Sequence, residues 1–334
     1  MRGILFTILA LGALFLFVYP TAPAHKGPVI VSYPPPIPAP TFLSVGWVGD
    51  MVPSDAWYNA TVFTGVASEL QKPDLMIGNL ESTFAHDDRI SKCFFLSLQC
   101  HAFKGDTNFA DALKTNGFDF ISLINNHSYD YGIEGLRDTE AELKRVGLPY
   151  ISPLKPTASI TIKGTRIGIL GLSSTPPTVT IADYAFITRE VARLKQENDI
   201  VIVIMHAGAE GSTKTAVPGT TEYVGNENRG DVQKVAYTAV DAGADLVLGS
   251  GPHVLRKIEH YHGGVIAYSL GNFVGGNQKL TTTGMLGISG IFTATFANTQ
   301  LHTYDFTSVH LSKQGVPTLD PTDAGRKLIE TLSE

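Results

Sequence analysis

The chain has 334 residues, of which 43% are hydrophobic and 17% are charged, as is typical of a folded globular protein. This composition excludes a disordered chain, a coiled coil, a collagen-like repeat and a polytopic membrane protein. With 25 basic and 31 acidic residues the formal net charge is −6, and there is no Lys- or Arg-rich run, so we expect no nucleic-acid partner.

Residues 1–24 are predicted to form a signal peptide or an N-terminal membrane anchor. Ile4–Tyr19 is an uncharged apolar run, at the long end for a signal-peptide core and slightly short for a spanning helix. Ala22-Pro23-Ala24 offers a cleavage site directly after it. Secretion with cleavage and anchoring without it both stay open, and both place the rest of the chain outside the cytoplasm.

Residues 25–40 are rich in proline and are predicted to form an extended, semi-rigid spacer. The alternative for this segment is a ligand for a proline-recognition domain. In either case we expect the folded domain to begin after it, at residue 41.

Residues 41–334 are predicted to form one α/β domain, because short apolar runs alternate with segments of helical period. The apolar runs are nearly continuous, as expected for strands buried on both faces. The predicted strands are Phe42–Val48, Asp74–Ile77, Phe118–Ile124, Arg166–Leu172, Ile200–Met205, Asp245–Leu248 and Val265–Leu270. The predicted helices are Asn108–Lys114, Ile133–Val146, Val232–Val240 and Thr322–Leu332.

Polar residues lie at or just after the carboxyl ends of five predicted strands, where ligand sites of open α/β sheets gather. These residues are Asp50, Asn79, Glu81, Asn126, His127, His206 and His253. Carboxylate, amide and imidazole groups together suit Mn, Fe(II) or Zn. Two ions sharing a carboxylate can clamp a phosphate and activate a water, with a free His placed for proton transfer. The residues therefore predict metal-assisted hydrolysis of a phosphate ester, and turn formation is the alternative for any single Asp or Asn.

Cys93 and Cys100 are the two cysteines of the chain. In an exported protein, a pair separated by a short segment predicts a local disulfide, here at the rim of the predicted site. The alternative is a thiolate metal site with His86 and His101, although zinc-binding cysteine pairs usually lie closer together in sequence.

Seven segments of the chain together resemble one known family. They are Val48–Met51, Ile77–Glu81, Asn125–Gly132, His206–Glu210, Gly243–Gly249, Pro252–Leu255 and Tyr268–Phe273. The set resembles the CapA-type capsule-biosynthesis family, which is associated with poly-γ-glutamate synthesis and is similar to calcineurin-like metallophosphatases. The resemblance implies a sandwich of two β-sheets flanked by helices. It also implies a membrane-attached, outward-facing role in making or exporting an anionic polymer.

The resemblance further implies a set of metal ligands. Asp50 and His253 resemble ligands of a first metal ion, and Glu81 resembles the carboxylate that bridges two ions. Asn126 and His206 resemble ligands of the second ion. The expected cofactor is therefore a divalent metal, Mn, Fe or Zn, as one or two ions.

Other polar residues of the same segments are candidates for catalysis and substrate binding. His127 resembles the neighbouring acid or phosphate contact, and we expect Asp130 to orient it. For Asp130 a solvated turn is the alternative. Asn79, Glu210 and Asn272 are the candidates for contacting substrate, and a turn role is the alternative for Asn272.

Two positions depart from the pattern that the resemblance implies. Val52 stands where phosphatases of this superfamily usually carry a His. Ser250-Gly251 stands where the family is usually rich in His, before the Pro-His pair. One imidazole of the second metal is therefore missing, which leaves three alternatives: a single ion, a replacement ligand such as Glu210, or no ion.

The sequence as a whole predicts an exported CapA-type protein that acts in synthesis or export of a capsule-like polymer. Its expected partners are the anionic polymer and membrane synthase subunits. An active extracytoplasmic metal-dependent phosphoesterase is the first alternative. A degenerate site that binds a polyanion or a partner without catalysis is the second.

Overall fold

The computed structural model describes residues 40–53, 60–94, 100–175, 181–275 and 281–334. The predicted leader and almost all of the proline-rich spacer lie outside the described residues. Pro40–Glu334 forms one compact unit. None of the helices in the described ranges has the length and apolar composition needed to span a bilayer.

The described residues form sixteen strands and six α-helices. The strands are β1 Phe42–Met51, β2 Leu75–Leu80, β3 Phe120–Ser122, β4 Tyr150–Ile151, β5 Thr157–Ile162, β6 Thr165–Ser173, β7 Ile200–His206, β8 Glu222–Val224, β9 Glu227–Gly230, β10 Leu246–Ser250, β11 Ile258–Tyr261, β12 Gly264–Ala267, β13 Asn272–Val274, β14 Ile288–Ala297, β15 Gln300–Leu311 and β16 Pro317–Leu319. The helices are α1 Ala67–Leu70, α2 Asn108–Thr115, α3 Gly132–Arg145, α4 Tyr184–Glu197, α5 Val232–Asp241 and α6 Ala324–Ser333.

Two sheets carry most of these strands. The first has eight strands in the order β16-β15-β14-β1-β2-β3-β4, with β13 pairing with β1 at its end. The second has six strands in the order β11-β12-β10-β7-β6-β5. Pairing is parallel from β1 to β4 and from β12 through β10 and β7 to β6. Parallel strands have their carboxyl ends at one edge of a sheet, so each sheet has a single edge at which strand-end side chains collect.

Apolar side chains fill the space between the sheets and cover their outer faces. One buried cluster joins residues of both sheets, among them Trp47, Phe120, Ile202 and Phe292. A second packs α2 and α3 on the first sheet, and a third packs α4 and α5 on the second. The two-sheet sandwich flanked by helices, which the family resemblance implies, is confirmed.

The predicted and observed strands differ mainly at their carboxyl ends. The first strand continues beyond Val48 to Met51, because Asp50 pairs in register with Asn79 of β2 and with Asn272 of β13. The second continues to Leu80. Asp50 and Asn79, which the sequence places after these strands, therefore lie within the paired region, where the sheet holds their backbones in place, and Glu81 follows it directly.

Candidate metal centre

Strand ends from both sheets bring the predicted site residues together. Asp50 and Asn79 lie side by side in β1 and β2, and Glu81 follows β2 directly. In the second sheet His206 ends β7 and lies opposite Ser250 at the end of β10. His206 lies 3.6 Å from an Asp50 oxygen and 3.4 Å from a Glu81 oxygen, which joins the two strand-end groups into one cluster.

Asp50 is fully buried and is held by donors on both of its oxygens. Oδ1 accepts a hydrogen bond from Asn79 Nδ2 at 2.8 Å, and Oδ2 accepts one from the Gly251 N–H at 3.0 Å. His253 Nδ1 lies 3.2 Å from Oδ2, and His206 Nδ1 lies 3.6 Å from Oδ1. Burial acts to raise the pKa of Asp50, but the two imidazoles outweigh it and hold this pKa well below its usual range. The group is therefore a carboxylate.

Glu81 is fully buried among three imidazoles, yet neither of its oxygens accepts a hydrogen bond from any described residue. Oε1 lies 3.4 Å from His206 Nε2 and 3.8 Å from His127 Nε2, and Oε2 lies 3.9 Å from His253 Nδ1. Burial, followed by the negative charge of Asp50, raises the pKa of Glu81 well above its ordinary value. A buried carboxyl group without a donor is unfavourable unless a cation or a proton accompanies it.

The unpartnered polar atoms of this cluster fit a cation. Among the described residues, Glu81 Oε1 and Oε2 and His206 Nε2 are buried here without a hydrogen-bond partner, and Asn126 Oδ1 is likewise buried and unpartnered. Ligand atoms of Asp50, Glu81 and His253 lie within 4.8 Å of one another. Carboxylate and amide oxygens with imidazole nitrogens form a donor set suited to Mn, Fe or Zn.

Ser250 and Gly251, which depart from the family pattern, hold two of these side chains in place. The Ser250 hydroxyl lies 3.0 Å from His206 Nδ1, which leaves Nε2 facing Glu81. Gly251 has a φ of +110°, and a Cβ at this position would lie 3.1 Å from the Ala207 nitrogen and 3.4 Å from His206 Nε2. The chain therefore turns closely around the imidazole here, and a side chain at residue 251 would press on it.

His253 adopts a backbone conformation that non-glycine residues rarely take, with φ of +61°. Its Nδ1 lies 2.9 Å from Asn272 Oδ1 and faces Asp50. Burial acts to lower the pKa of His253, but the negative charges of Glu81 and Asp50 outweigh it and raise this pKa to about 10. Strained conformations of this kind persist where the surroundings hold them, commonly at functional sites.

His127 lies at the rim of the cluster and is oriented by Asp130. Its Nδ1 lies 2.7 Å from Asp130 Oδ2, and its ring stacks on Phe103 with a centroid separation of 4.1 Å. The Phe103 N–H donates to the same oxygen at 2.6 Å, and Lys92 Nζ lies 2.6 Å from Oδ1. Asp130 is fully buried, so the solvated-turn alternative is excluded. Burial lowers the pKa of His127 although Asp130 acts to raise it.

The segment that carries Lys92 is closed by a disulfide. Cys93 and Cys100 are joined, with 5.4 Å between their Cα atoms, so the predicted disulfide is confirmed and the thiolate metal site is excluded. Lys92 immediately precedes the first cysteine, and Phe103 follows the second by three residues. The disulfide therefore ties together the two residues that hold Asp130.

The three predicted substrate contacts occupy different environments. Asn79 and Asn272 are fully buried and contact Asp50 and His253 respectively. Glu210 is partly exposed, and its Oε1 lies 2.7 Å from Arg229 Nη1. The N–H of the next residue, Gly211, donates to the Pro252 carbonyl at 3.2 Å, which places Glu210 near His253, and its negative charge acts on Glu81 and His253.

Besides Lys92 and Phe103, sequence patterns do not single out two further residues at this site, Asn125 and Arg229. Asn125 Nδ2 donates to Asn79 Oδ1 at 3.1 Å and to the Leu80 carbonyl at 2.8 Å, which ties the end of β3 to the end of β2. Its position beside Asn126 was the available signal. Arg229 lies on the β8–β9 hairpin after β7, and no motif marks it.

Comparison with known proteins identifies the family. The model of the family described as bacterial capsule synthesis protein PGA_cap matches residues 44–277, a range that includes all of the predicted ligands. The chain belongs to this family.

Curated relatives carry matching names. The PGA biosynthesis protein CapA of Bacillus subtilis (strain 168) is 28% identical over 256 residues, 70% of this chain and 63% of its own length. The capsule biosynthesis protein CapA of Bacillus anthracis is 29% identical over 238 residues, 64% of this chain and 53% of its own length. The chain thus spans about half to three-fifths of these members of the PGA_cap family.

Solved structures share the fold. A novel phosphatase from Mycoplasma pneumoniae superposes with a TM-score of 0.52 at 13% identity, covering 85% of this chain and 96% of that one. A hypothetical protein from Thermus thermophilus gives a TM-score of 0.51 at 16% identity, with coverages of 80% and 98%. The structural neighbours have the calcineurin-like phosphatase fold, which this PGA_cap family member shares.

Proposed function

We propose that this protein acts outside the cytoplasm in the synthesis or export of an anionic cell-surface polymer, and that it does so through a divalent metal centre. Family membership supports the polymer, since the Bacillus relatives are named for capsule and PGA biosynthesis. We assign a polymer of the poly-γ-glutamate type, with a membrane synthase as the partner, on the same ground.

One observation carries the metal centre: the buried, unpartnered atoms of Glu81, Asn126 and His206. Glu81 would contact both ions of a two-metal site. Asp50 and His253 would complete the ligands on one side of it, and Asn126 and His206 those on the other. A divalent cation bound by these groups supplies Lewis acidity for a phosphoryl or carbonyl oxygen and activates water.

A second candidate function is hydrolysis of a phosphoester, and the His127–Asp130 pair favours it. Because Nδ1 is bonded to Asp130, Nε2 is the nitrogen free to exchange a proton with a ligand, and it faces Glu81 at 3.8 Å. The buried carboxylate would stabilise the protonated ring when the proton is held there. Manganese-dependent turnover of a chromogenic phosphodiester, lost in His127→Ala, would support this candidate.

Elemental mass spectrometry of the purified full chain tests the metal centre. We expect about one or two equivalents of Mn, Fe or Zn per chain, as one- and two-metal hydrolase sites hold. This content should be lost in Glu81→Gln and in His206→Ala. His262→Ala is the matched control, because that imidazole is exposed and pairs with Asp241 instead. Absence of metal in the wild-type chain would contradict the metal centre and leave a polymer- or partner-binding role.

A further inference from the structure

Arg229 places a buried positive charge beside the metal centre. Only 1% of its side chain is exposed, and its Nη1 lies 2.7 Å from Glu210 Oε1 and 3.7 Å from Glu227 Oε1. Neither Nε nor Nη2 has a hydrogen-bond partner among the described residues. It is unfavourable to bury a guanidinium with two nitrogens that make no hydrogen bond. The side of the guanidinium that carries Nε and Nη2 is therefore suited to bind a ligand.

The idle donors have a defined geometry. Nε and Nη2 lie on the same edge of the planar guanidinium, and their N–H bonds point in nearly the same direction. This edge is the one that binds two oxygens of a carboxylate or of a phosphoryl group at once. Nη1, the third nitrogen, contacts one oxygen of the Glu210 carboxylate, so this guanidinium already binds one oxyanionic group.

A second buried arginine shows how the fold satisfies such a group when its role is structural. Arg256 donates from Nη1 and Nη2 to the two oxygens of Glu222, each at 2.8 Å. Its Nε donates to the Lys214 carbonyl at 2.8 Å, and Nη2 also donates to the Ala209 carbonyl at 3.1 Å. Every nitrogen of Arg256 is therefore used, whereas two of the three nitrogens of Arg229 are not.

Arg229 lies within electrostatic reach of the predicted ligands. Burial raises the pKa of Glu81, and the positive charge of Arg229 acts against that rise. Burial lowers the pKa of His206, and the positive charge of Arg229 also acts to lower it. Glu210, the partner of Arg229, acts on Glu81 and His253. The Arg229 carbonyl also accepts a hydrogen bond at 2.8 Å from the N–H of Gly208, two residues after His206, so Arg229 lies beside the strand end that carries this ligand.

We propose that the Nε–Nη2 edge of Arg229 binds an oxyanionic group of the substrate next to the metal centre. The inference deepens the proposed function, on which it rests, by naming the substrate class: a molecule that presents a phosphoryl group or a carboxylate. Glu210 is 27% exposed and contacts Nη1, so it leaves the Nε–Nη2 edge without a partner, and its negative charge repels an incoming oxyanion.

Isothermal titration calorimetry of the full chain, with and without added Mn²⁺, tests the inference. Inorganic phosphate and glutarate are the two probes, and the one that binds distinguishes a phosphoryl substrate from a carboxylate one. In Arg229→Met we expect affinity for that probe to fall by about tenfold or more, because a charge-assisted bidentate contact is lost. In Glu210→Gln we expect affinity to rise. Arg193→Met is the matched control, since that arginine lies on α4 and pairs with Glu190 and Glu197.

Metal content measured on the same samples separates the two proposals. Unchanged metal in Arg229→Met with weakened probe binding supports the inference. Wild-type affinity in Arg229→Met, or no binding of either probe to the wild-type chain, would overturn it and leave the metal centre standing. Chains without metal whose probe binding still depends on Arg229 would contradict the metal centre alone. If Arg229→Met does not fold, Arg229→Lys keeps the charge but lacks the two-donor edge, and its affinity should still fall.

Discussion

Replacing Glu81 by Gln should stabilise the metal-free protein while abolishing metal binding. Both oxygens of Glu81 are buried without a donor among the described residues, and Oε1 lies 3.4 Å from His206 Nε2. A glutamine of the same shape removes the buried ionisable group and can donate its amide N–H to that nitrogen. Relief of a buried unsatisfied group contributes about 2 kcal/mol. For a domain of this size, that free energy corresponds to a rise in Tm of about 4 °C.

The sign should reverse when metal is present. The wild-type chain gains about 2.7 kcal/mol at a metal concentration one hundred times the Kd, and the variant gains nothing. Differential scanning calorimetry in EDTA and then in excess Mn²⁺ measures both effects. Glu69→Gln is the control, because this partly exposed carboxylate lies outside the cluster and pairs with Lys72 three residues along the chain. A lower Tm for Glu81→Gln in EDTA would refute the reasoning, since it would show that the fold relies on a charge at this position.

Three further changes have defined outcomes. Asp130→Asn should slow any metal-dependent phosphodiester turnover by about 10²-fold or more, because His127 loses the group that orients it. Steady-state kinetics at constant metal content measures this rate. An unchanged rate would exclude His127 as the acid. The double change Cys93→Ser and Cys100→Ser should lower the free energy of unfolding by about 2 kcal/mol. It should also broaden the downfield imidazole proton signal of His127 in NMR spectra. If this signal stays sharp, the disulfide does not influence Asp130. Burial acts to raise the pKa of Glu259, but hydrogen bonds from neighbouring Lys and Tyr side chains outweigh it and lower this pKa below 4.5. Its contribution to stability is therefore present above pH 4.5 and lost as pH falls through the lowered value. Glu259→Gln should accordingly lower the Tm at about pH 7 but not at about pH 2, and an equal loss at both values would contradict the assignment.

The strand-end ligands are the part of the site that sequence patterns predict well. Asp50 and His206 each end an apolar run, and parallel pairing brings such ends to one edge whatever the side-chain details. The register between paired strands cannot be predicted from apolar runs in the sequence. That Asp50 lies opposite both Asn79 and Asn272 depends on pairing with β2 and β13 together, which hydrophobic periodicity alone does not determine.

Residues that act through neighbours are harder to predict. Ser250 departs from the histidine-rich pattern and therefore indicated a lost ligand, but its hydroxyl lies against His206 Nδ1. Arg229 lies on a short hairpin far from any motif, and its proposed role depends on which of its nitrogens make no hydrogen bond within the fold. Hydrogen-bond satisfaction is a property of the three-dimensional arrangement, so neither role follows from residue type and spacing.

The predicted ligands are divided between the two sheets, and this division has a consequence for how the protein matures. In the first sheet Asp50 lies in β1 and Glu81 follows β2, whereas in the second His206 ends β7 and His253 follows β10. Neither sheet alone offers a complete set, so a chain still being made would capture a cation only after β10 has emerged and docked. A bound ion would then link the two sheets through their ligands. Removing it would weaken the packing between the sheets before either sheet lost its own strand pairing.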